Sequence, residues 1–330
     1  MKQTLIAVAI FACGAVLLLM LPPAEPRYQG RTITAWQNDW AAGKQDDFPA
    51  VLRHIGTNAI PYAVRNLALN DSRWRSNYCR LQAILPTPLQ RLIPKPKPLL
   101  KVVDGANVFF YVGSNSILHA VTLLKHKSPT VRQAAAWGLG AIRRESAAAD
   151  QAIPALIETL TDGDRQVRFY AAMSLKDMGA AASNAVPALT KVVADTGVGP
   201  ETNSYFYLRA VAAVALGKIG PAATSALPVL RATLQAPNAY LRGQTAVAIW
   251  RISSDVDTAL PALLREMPGA SEGSKWDWIV ALGEMGPRAK AAVPQLTREL
   301  EQAKEPWILD CVTNALKSID PAAARETGLK

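Results

Sequence analysis

From Val131 onward, apolar positions recur at spacings of four, four and three: Val131, Ala135, Leu139, Ile142; Val167, Ala171, Leu175, Met178; Leu208, Ala212, Leu216, Ile219; Leu241, Thr245, Ile249, Ile252. That spacing puts the members of each set on one face of a helix. After each ladder comes a short break, then an apolar residue and a proline: Ile153-Pro154, Val186-Pro187, Leu227-Pro228, Leu260-Pro261 and Val293-Pro294. These prolines are 33, 41, 33 and 33 residues apart. From first rung to proline is 20 residues in the units beginning at 167, 208, 241 and 274, and 23 in the unit beginning at 131.

Each part of the pattern has a mechanical reading. Gly179, Gly220 and Gly286 fall where a helix end needs a residue tolerant of positive φ, and Pro221 and Pro287 then prevent continuation. The proline of the second helix suits its first turn, where the missing N–H has no partner. The residue before that proline is expected in extended geometry, separating the two helices. Each unit is thus predicted to be a hairpin of antiparallel helices with a break near the glycine. No strand is expected between 131 and 320. One hairpin cannot bury its apolar face alone, so a period in this range predicts a stacked array.

Units such as Leu208-Arg209 through Ala212, Leu216, Gly220-Pro221 and Leu227-Pro228-Val229-Leu230 resemble bacterial HEAT repeats of the short type also seen in phycobilin lyases. The resemblance covers residues 45 to 320 and implies an all-α fold, an α-α superhelix of roughly six to seven helical hairpins. It says little about function, because such arrays host many unrelated roles.

Before residue 131 the pattern degrades. Phe48, Leu52 and Ile55 match the last three rungs of a first helix, and Gly56 to Pro61 is a shortened break before a second. Residues 72 to 116 leave the template: a helix is expected near Arg73 to Leu85, followed by a segment whose Pro86, Pro88, Pro94, Pro96 and Pro98 exclude continuous helix. Ile117 to Lys127 reads as another second helix, with Ile117, Val121 and Leu124 on one face. Ile308, Val312, Leu316 and Ile319 form a closing helix. The expected organisation is 1–21 signal anchor or signal peptide, 22–31 polar linker, 32–130 degenerate repeats with a Pro/Lys-rich insertion, and 131–330 regular repeats.

Leu5 to Leu21 is an uncharged apolar run of 17 residues ended by Pro22-Pro23. It is at the lower edge of spanning length and lacks a clear small-x-small cleavage site, so it reads as an uncleaved anchor, with a cleaved signal peptide as the alternative. A membrane-anchored, extracytoplasmic location follows, or secretion if the run is removed. Residues 22 to 31 read as a stiff tether. Thr32 or Thr34 then caps a helix with Ile33, Trp36 and Trp40 on one face; the tryptophans either cover the end of the array or touch a membrane surface. With Cys13 in the apolar run, Cys79 and Cys311 lie too far apart along the array for a disulfide.

Catalytic motifs are not evident. The three histidines, His54, His119 and His126, form no metal-binding spacing, which argues against the di-metal hydroxylases found among HEAT enzymes; His119 and His126 are expected on one helical face. No metal and no cofactor is implied.

Charge is uneven: the net +10 lies in the first half, with 14 basic residues against 3 acidic ones between 51 and 145. Arg73, Arg75, Arg80, Arg91, Lys95, Lys97 and Lys101 are its densest part. They form a candidate patch for anionic lipid or an acidic protein, or else a solvated face. A second series recurs near each helix-opening proline: Arg65, Lys191, Arg231, Arg265 and Arg298, a candidate ridge on the concave face, weakened by Glu266 and Glu299. Arg132, Arg168, Arg209 and Arg242, after the first rung, read as inter-repeat structural contacts. The 41-residue spacing marks an insertion, a loop from Asp195 ending in Tyr205, Phe206 and Tyr207, which is a third candidate.

The resulting reading is a non-catalytic, membrane-tethered scaffold that binds another protein, with anionic membrane lipid as a second candidate partner. Alternatives are a lyase-like or chaperone enzyme holding a pigment-like ligand in its groove, or a nucleic-acid binder using the basic region, the least favoured partner for an exported chain.

Overall fold

A computed structural model describes residues 25–41, 47–90, 99–142, 149–196, 208–303 and 305–326. The protein is all-α, an array of helical hairpins of the α-solenoid type, and its only described strands are two two-residue segments near the N-terminus. The chain divides into two compact units after Ala149.

The first unit opens with β1 (Arg27–Tyr28) and β2 (Arg31–Thr32), paired antiparallel around Gln29 and Gly30, both at positive φ. The sequence reads as a tether here, yet the segment is folded down. Glu25 accepts hydrogen bonds from the backbone N–H and hydroxyl of Thr34, and the indole of Trp36, itself buried, donates to the Tyr28 carbonyl at 3.2 Å. Thr32 caps the following helix, α1 (Ile33–Ala41), accepting from the Ala35 N–H.

Two hairpins follow, α2 (Phe48–Ile55) with α3 (Ala59–Ala68) and α6 (Val102–Val112) with α7 (Ile117–Leu123), before α8 (Pro129–Ala141) closes the unit. Between the hairpins lie α4 (Arg73–Ile84) and the single turn α5 (Thr87–Gln90). This insertion is pinned at both ends. Asn66 accepts from the Leu100 N–H at 2.8 Å, Asn70 donates to the Leu67 and Leu100 carbonyls, and Asp71 receives the hydroxyls of Ser128 and Thr130 at the start of α8.

The second unit contains α9 (Ala149–Thr159), α10 (Arg165–Met178) paired with α11 (Val186–Ala194), α12 (Leu208–Ile219) with α13 (Leu227–Thr233), α14 (Ala239–Ser253) with α15 (Val256–Glu266), α16 (Glu272–Met285) with α17 (Val293–Gln302), and finally α18 (Pro306–Ile319) with α19 (Pro321–Glu326). Neighbouring first helices α10, α12 and α14 pack on one another in turn. The apolar ladders face inward: Val167, Ala171, Leu175, Leu216, Leu241, Ile249, Val312 and Leu316 are all buried. Each fully buried aliphatic side chain contributes about 1.5–3 kcal/mol. The first helices are capped three residues before the first rung, by Ser128, Asp164 and Asn238, which accept from Val131, Val167 and Leu241.

The breaks correct one expectation. Val186, Leu227 and Val293, each just before a proline, are helical rather than extended (φ near −50°, ψ near −45°). Separation is achieved earlier. Gly179 and Gly286 adopt φ +55° and +61° with ψ −132° and −142°, a region closed to a residue with a Cβ, and a seven-residue 3-10 segment follows. Each of these prolines falls in the first turn of its helix, where its missing N–H has no partner to lose and its neighbour stays helical.

Residues 208–233 are long and apolar enough in composition to suggest a membrane span. They are instead two short helices reversed at Gly220 (φ +79°), and most of that surface is buried within the protein.

Candidate interaction surfaces

The arginines that follow the first rung are structural, as their position suggests. The guanidinium of Arg132 donates to the carbonyls of His126 and Lys127, that of Arg168 to Asp162 and Gly163, that of Arg209 to Val193, and that of Arg242 to Ala236 and Pro237. Arg209 bonds a carbonyl in the last turn of α11, and the other three bond carbonyls of the loop that joins the preceding second helix to their own first helix. Arg242 also grips Glu266 with two bonds, 2.8 and 2.6 Å, and Lys275 holds Glu299 at 2.6 Å one repeat later. Both glutamates are buried, so they belong to the packing between helices.

This alters the candidate ridge. Lys191, Arg231, Arg265 and Arg298 are exposed, one on each of four successive second helices, and Arg65 is exposed on α3 in the other unit. Arg231 pairs with Asp255 at 3.1 Å, and Arg265 contacts Glu266 at 2.7 Å, sharing that carboxylate with Arg242, so half of the second-unit series is already engaged by acids. Asp255 and Glu266 are both held below their ordinary carboxylate values, Asp255 first by the Thr258 hydroxyl and Glu266 first by the Arg242 guanidinium.

Of the basic patch, Arg73 and Arg80 are exposed on α4 and Arg75 is half-buried there. Lys101 stands apart, exposed at the start of α6, where its backbone N–H donates to Asp104. Arg91, Lys95 and Lys97 lie outside the described residues, as do Tyr205, Phe206 and Tyr207 and the apolar run 5–21. The histidines have local roles. His54 stacks on Tyr28 with ring centroids 4.5 Å apart. His126 does not share a helical face with His119, because α7 ends at Leu123; its Nδ1 accepts from the Ser128 N–H at 3.1 Å. No cluster of metal-ligating side chains occurs among the described residues.

The sequence reading missed a groove in the first unit. A depression of about 390 Å³ lies between α3 and α7, lined by Ile60, Pro61, Val64, Leu118 and His119. It adjoins a larger one of about 720 Å³ that shares Val64 and carries Arg65, His126 and Lys127. One end is apolar, with Leu118 exposed, and the other presents two cations. The acid at that end, Asp71, is already occupied by Ser128 and Thr130. Away from the groove, burial pushes the Tyr62 phenol on α3, whose oxygen contacts Thr34, up to about 12.

α6 was hidden in the sequence because the position equivalent to Phe48 is Gly105. A Cβ there would stand 2.5 Å from a Leu67 methyl, so the close approach of α6 to α3 replaces an apolar rung with a glycine. The recoverable signal is Gly113, at φ +75°, which repeats the break at Gly56 (φ +61°) and makes 102–123 a hairpin.

Residues 117–200 match the HEAT-repeat family. No curated protein matches the chain. Among solved structures, the complex of CpcE and CpcF of phycocyanin lyase from Nostoc sp. PCC7120 is similar at 20% identity, covering 72% of this chain and 96% of that one, with a TM-score of 0.47. Two engineered proteins are similar at 18% and 19% identity, covering 90% and 79% of this chain and 85% and 96% of their own, with TM-scores of 0.46 and 0.38. The chain therefore carries a HEAT-repeat segment within an all-α array.

Proposed function

We propose that the protein is a non-catalytic interaction array, tethered to a membrane by residues 5–21 on its extracytoplasmic side, whose first unit receives an extended segment of another protein. The observation that carries this is the groove along α3 and α7: an apolar stretch with Leu118 exposed runs directly into a cationic end with Arg65 and Lys127. Such a surface suits a peptide with apolar anchors followed by acidic residues. Its open form supports a macromolecular partner over an enclosed pigment-like ligand. The test is a photo-crosslinking residue at Leu118 in cells producing the full chain. One adduct of discrete mass is expected, lost when Arg65 and Lys127 are both changed to glutamate. Adducts of many masses, or one indifferent to those charges, would reject the reading.

A further inference from the structure

The helix inserted between the two N-terminal hairpins has no place in the array's core. None of the side chains of α4 is buried, and Trp74, Leu81 and Ile84 are 71%, 49% and 78% exposed. At 100° per residue, Trp74, Tyr78, Leu81 and Leu85 form one apolar stripe, with Ile84 at its edge. Arg73 and Arg80 flank the stripe on the Ile84 side and Arg75 on the other, and the helix contains no acidic residue. Leaving a tryptophan, a leucine and an isoleucine in water on one short helix is costly for a free surface.

We propose that α4 lies in the interface of an anionic membrane, with Trp74, Leu81 and Ile84 among the acyl chains and Arg73, Arg75 and Arg80 against phosphate headgroups. This combination of a tryptophan-bearing apolar stripe with flanking arginines is the chemistry of interfacial helices. Charge complementarity excludes a cationic partner. A bilayer is favoured over an acidic protein by the position of the helix in the chain. Only Pro22, Pro23 and Ala24 separate the apolar run from Glu25, at most about 14 Å of extended backbone from Leu21. Glu25 is bonded to Thr34, whose hydroxyl contacts Tyr62 in the first turn of α3. From Tyr62 to the cap of α4 at Ser72 is about 15 Å at helical rise. A bilayer entered by the run would therefore lie within reach of α4. The proposal is independent of the groove and rests on the tethering of residues 5–21 to a bilayer.

The test uses the full chain with its three native cysteines replaced by serine and one reporter cysteine carrying an environment-sensitive NBD dye, reconstituted into preformed vesicles. With Leu81→Cys the dye is on the apolar stripe; with a cysteine kept only at position 79 it is on the opposite face. In phosphatidylcholine mixed with phosphatidylglycerol, a blue shift and quenching by nitroxide-labelled lipid are expected at 81 and not at 79. Both should be lost in the Arg73→Gln, Arg80→Gln variant and in high salt, with helicity unchanged because both arginines are exposed. The same shift in neutral vesicles, a shift at both positions, or none at 81 would overturn the proposal; a shift at 81 produced by an acidic polypeptide without lipid would assign the helix to a protein instead.

Discussion

Changing Glu266 to glutamine removes one charge from a site that joins α14 to α15. The carboxylate is 4% exposed and accepts from Arg242, 21% exposed, and from Arg265. Breaking a buried pair costs about 3–5 kcal/mol. Here the loss is smaller, because Arg242 keeps the Ala236 and Pro237 carbonyls and Arg265 is half-exposed and adds little. Glutamine also keeps one acceptor, which leaves a loss of about 2 kcal/mol at neutral pH. For a unit of this size that lowers Tm by about 4–8 °C. Because Arg242 and Arg265 hold Glu266 below its usual value of 4.5, the folded state binds fewer protons than the unfolded chain in the acid range. The stabilisation is complete above that value and is lost as pH falls through the lowered one. Thermal unfolding followed by circular dichroism should therefore separate wild type and variant at about pH 7 and bring them together as the pH falls through the lowered value. Equal Tm at neutral pH, or a gap undiminished in acid, would refute the argument.

Gly243→Ala should destabilise although alanine favours helix, since its Cβ would stand 2.1 Å from the buried Trp278 ring; a loss of about 1–3 kcal/mol is expected, against no loss for Gly273→Ala, which meets open space. Gly220→Ala should cost about 1 kcal/mol or more through its φ of +79° alone, with no contact to relieve, so a second-site cavity mutation will not rescue it in denaturant melts. Ultraviolet titration should find one tyrosine ionising near 12, lost in Tyr62→Phe; the stability tied to that phenol is present below pH 10 and disappears as the pH rises through 12.

The fold was legible wherever a ladder and a break both used ordinary residues. Val167 to Met178 and Leu208 to Ile219 were found because an apolar side chain occupies every rung. The helix at 102–112 escaped because its rung is Gly105, chosen for close approach rather than hydrophobicity, and periodicity is blind to that choice. The expectation of extended residues before Pro187, Pro228 and Pro294 failed because local proline sterics were credited with a separation that the upstream glycine and 3-10 turn produce. Glu266 and Glu299 count in the sequence only as charges that weaken the ridge, because composition cannot tell a solvated acid from one that a lysine or arginine 24 residues earlier draws inward. The groove was illegible for a related reason: Arg65, Leu118 and Lys127 are far apart in sequence, and only packing of α3 beside α7 makes them neighbours.

The guanidinium clasp at each first helix gives the array a direction. Arg168, Arg209 and Arg242 all reach backwards, Arg209 to the last turn of the helix before it and the other two to the loop by which that helix exits. A hairpin emerging during synthesis therefore has its exit from the second helix unlatched until the opening turn of its successor appears. Shortening the chain from its C-terminal end strips the latch from the hairpin left behind, whereas shortening from the other end removes only a latch that no longer has anything to hold. Truncations of equal length should thus fray unequally, and growth of the stack is vectorial in the same sense as translation.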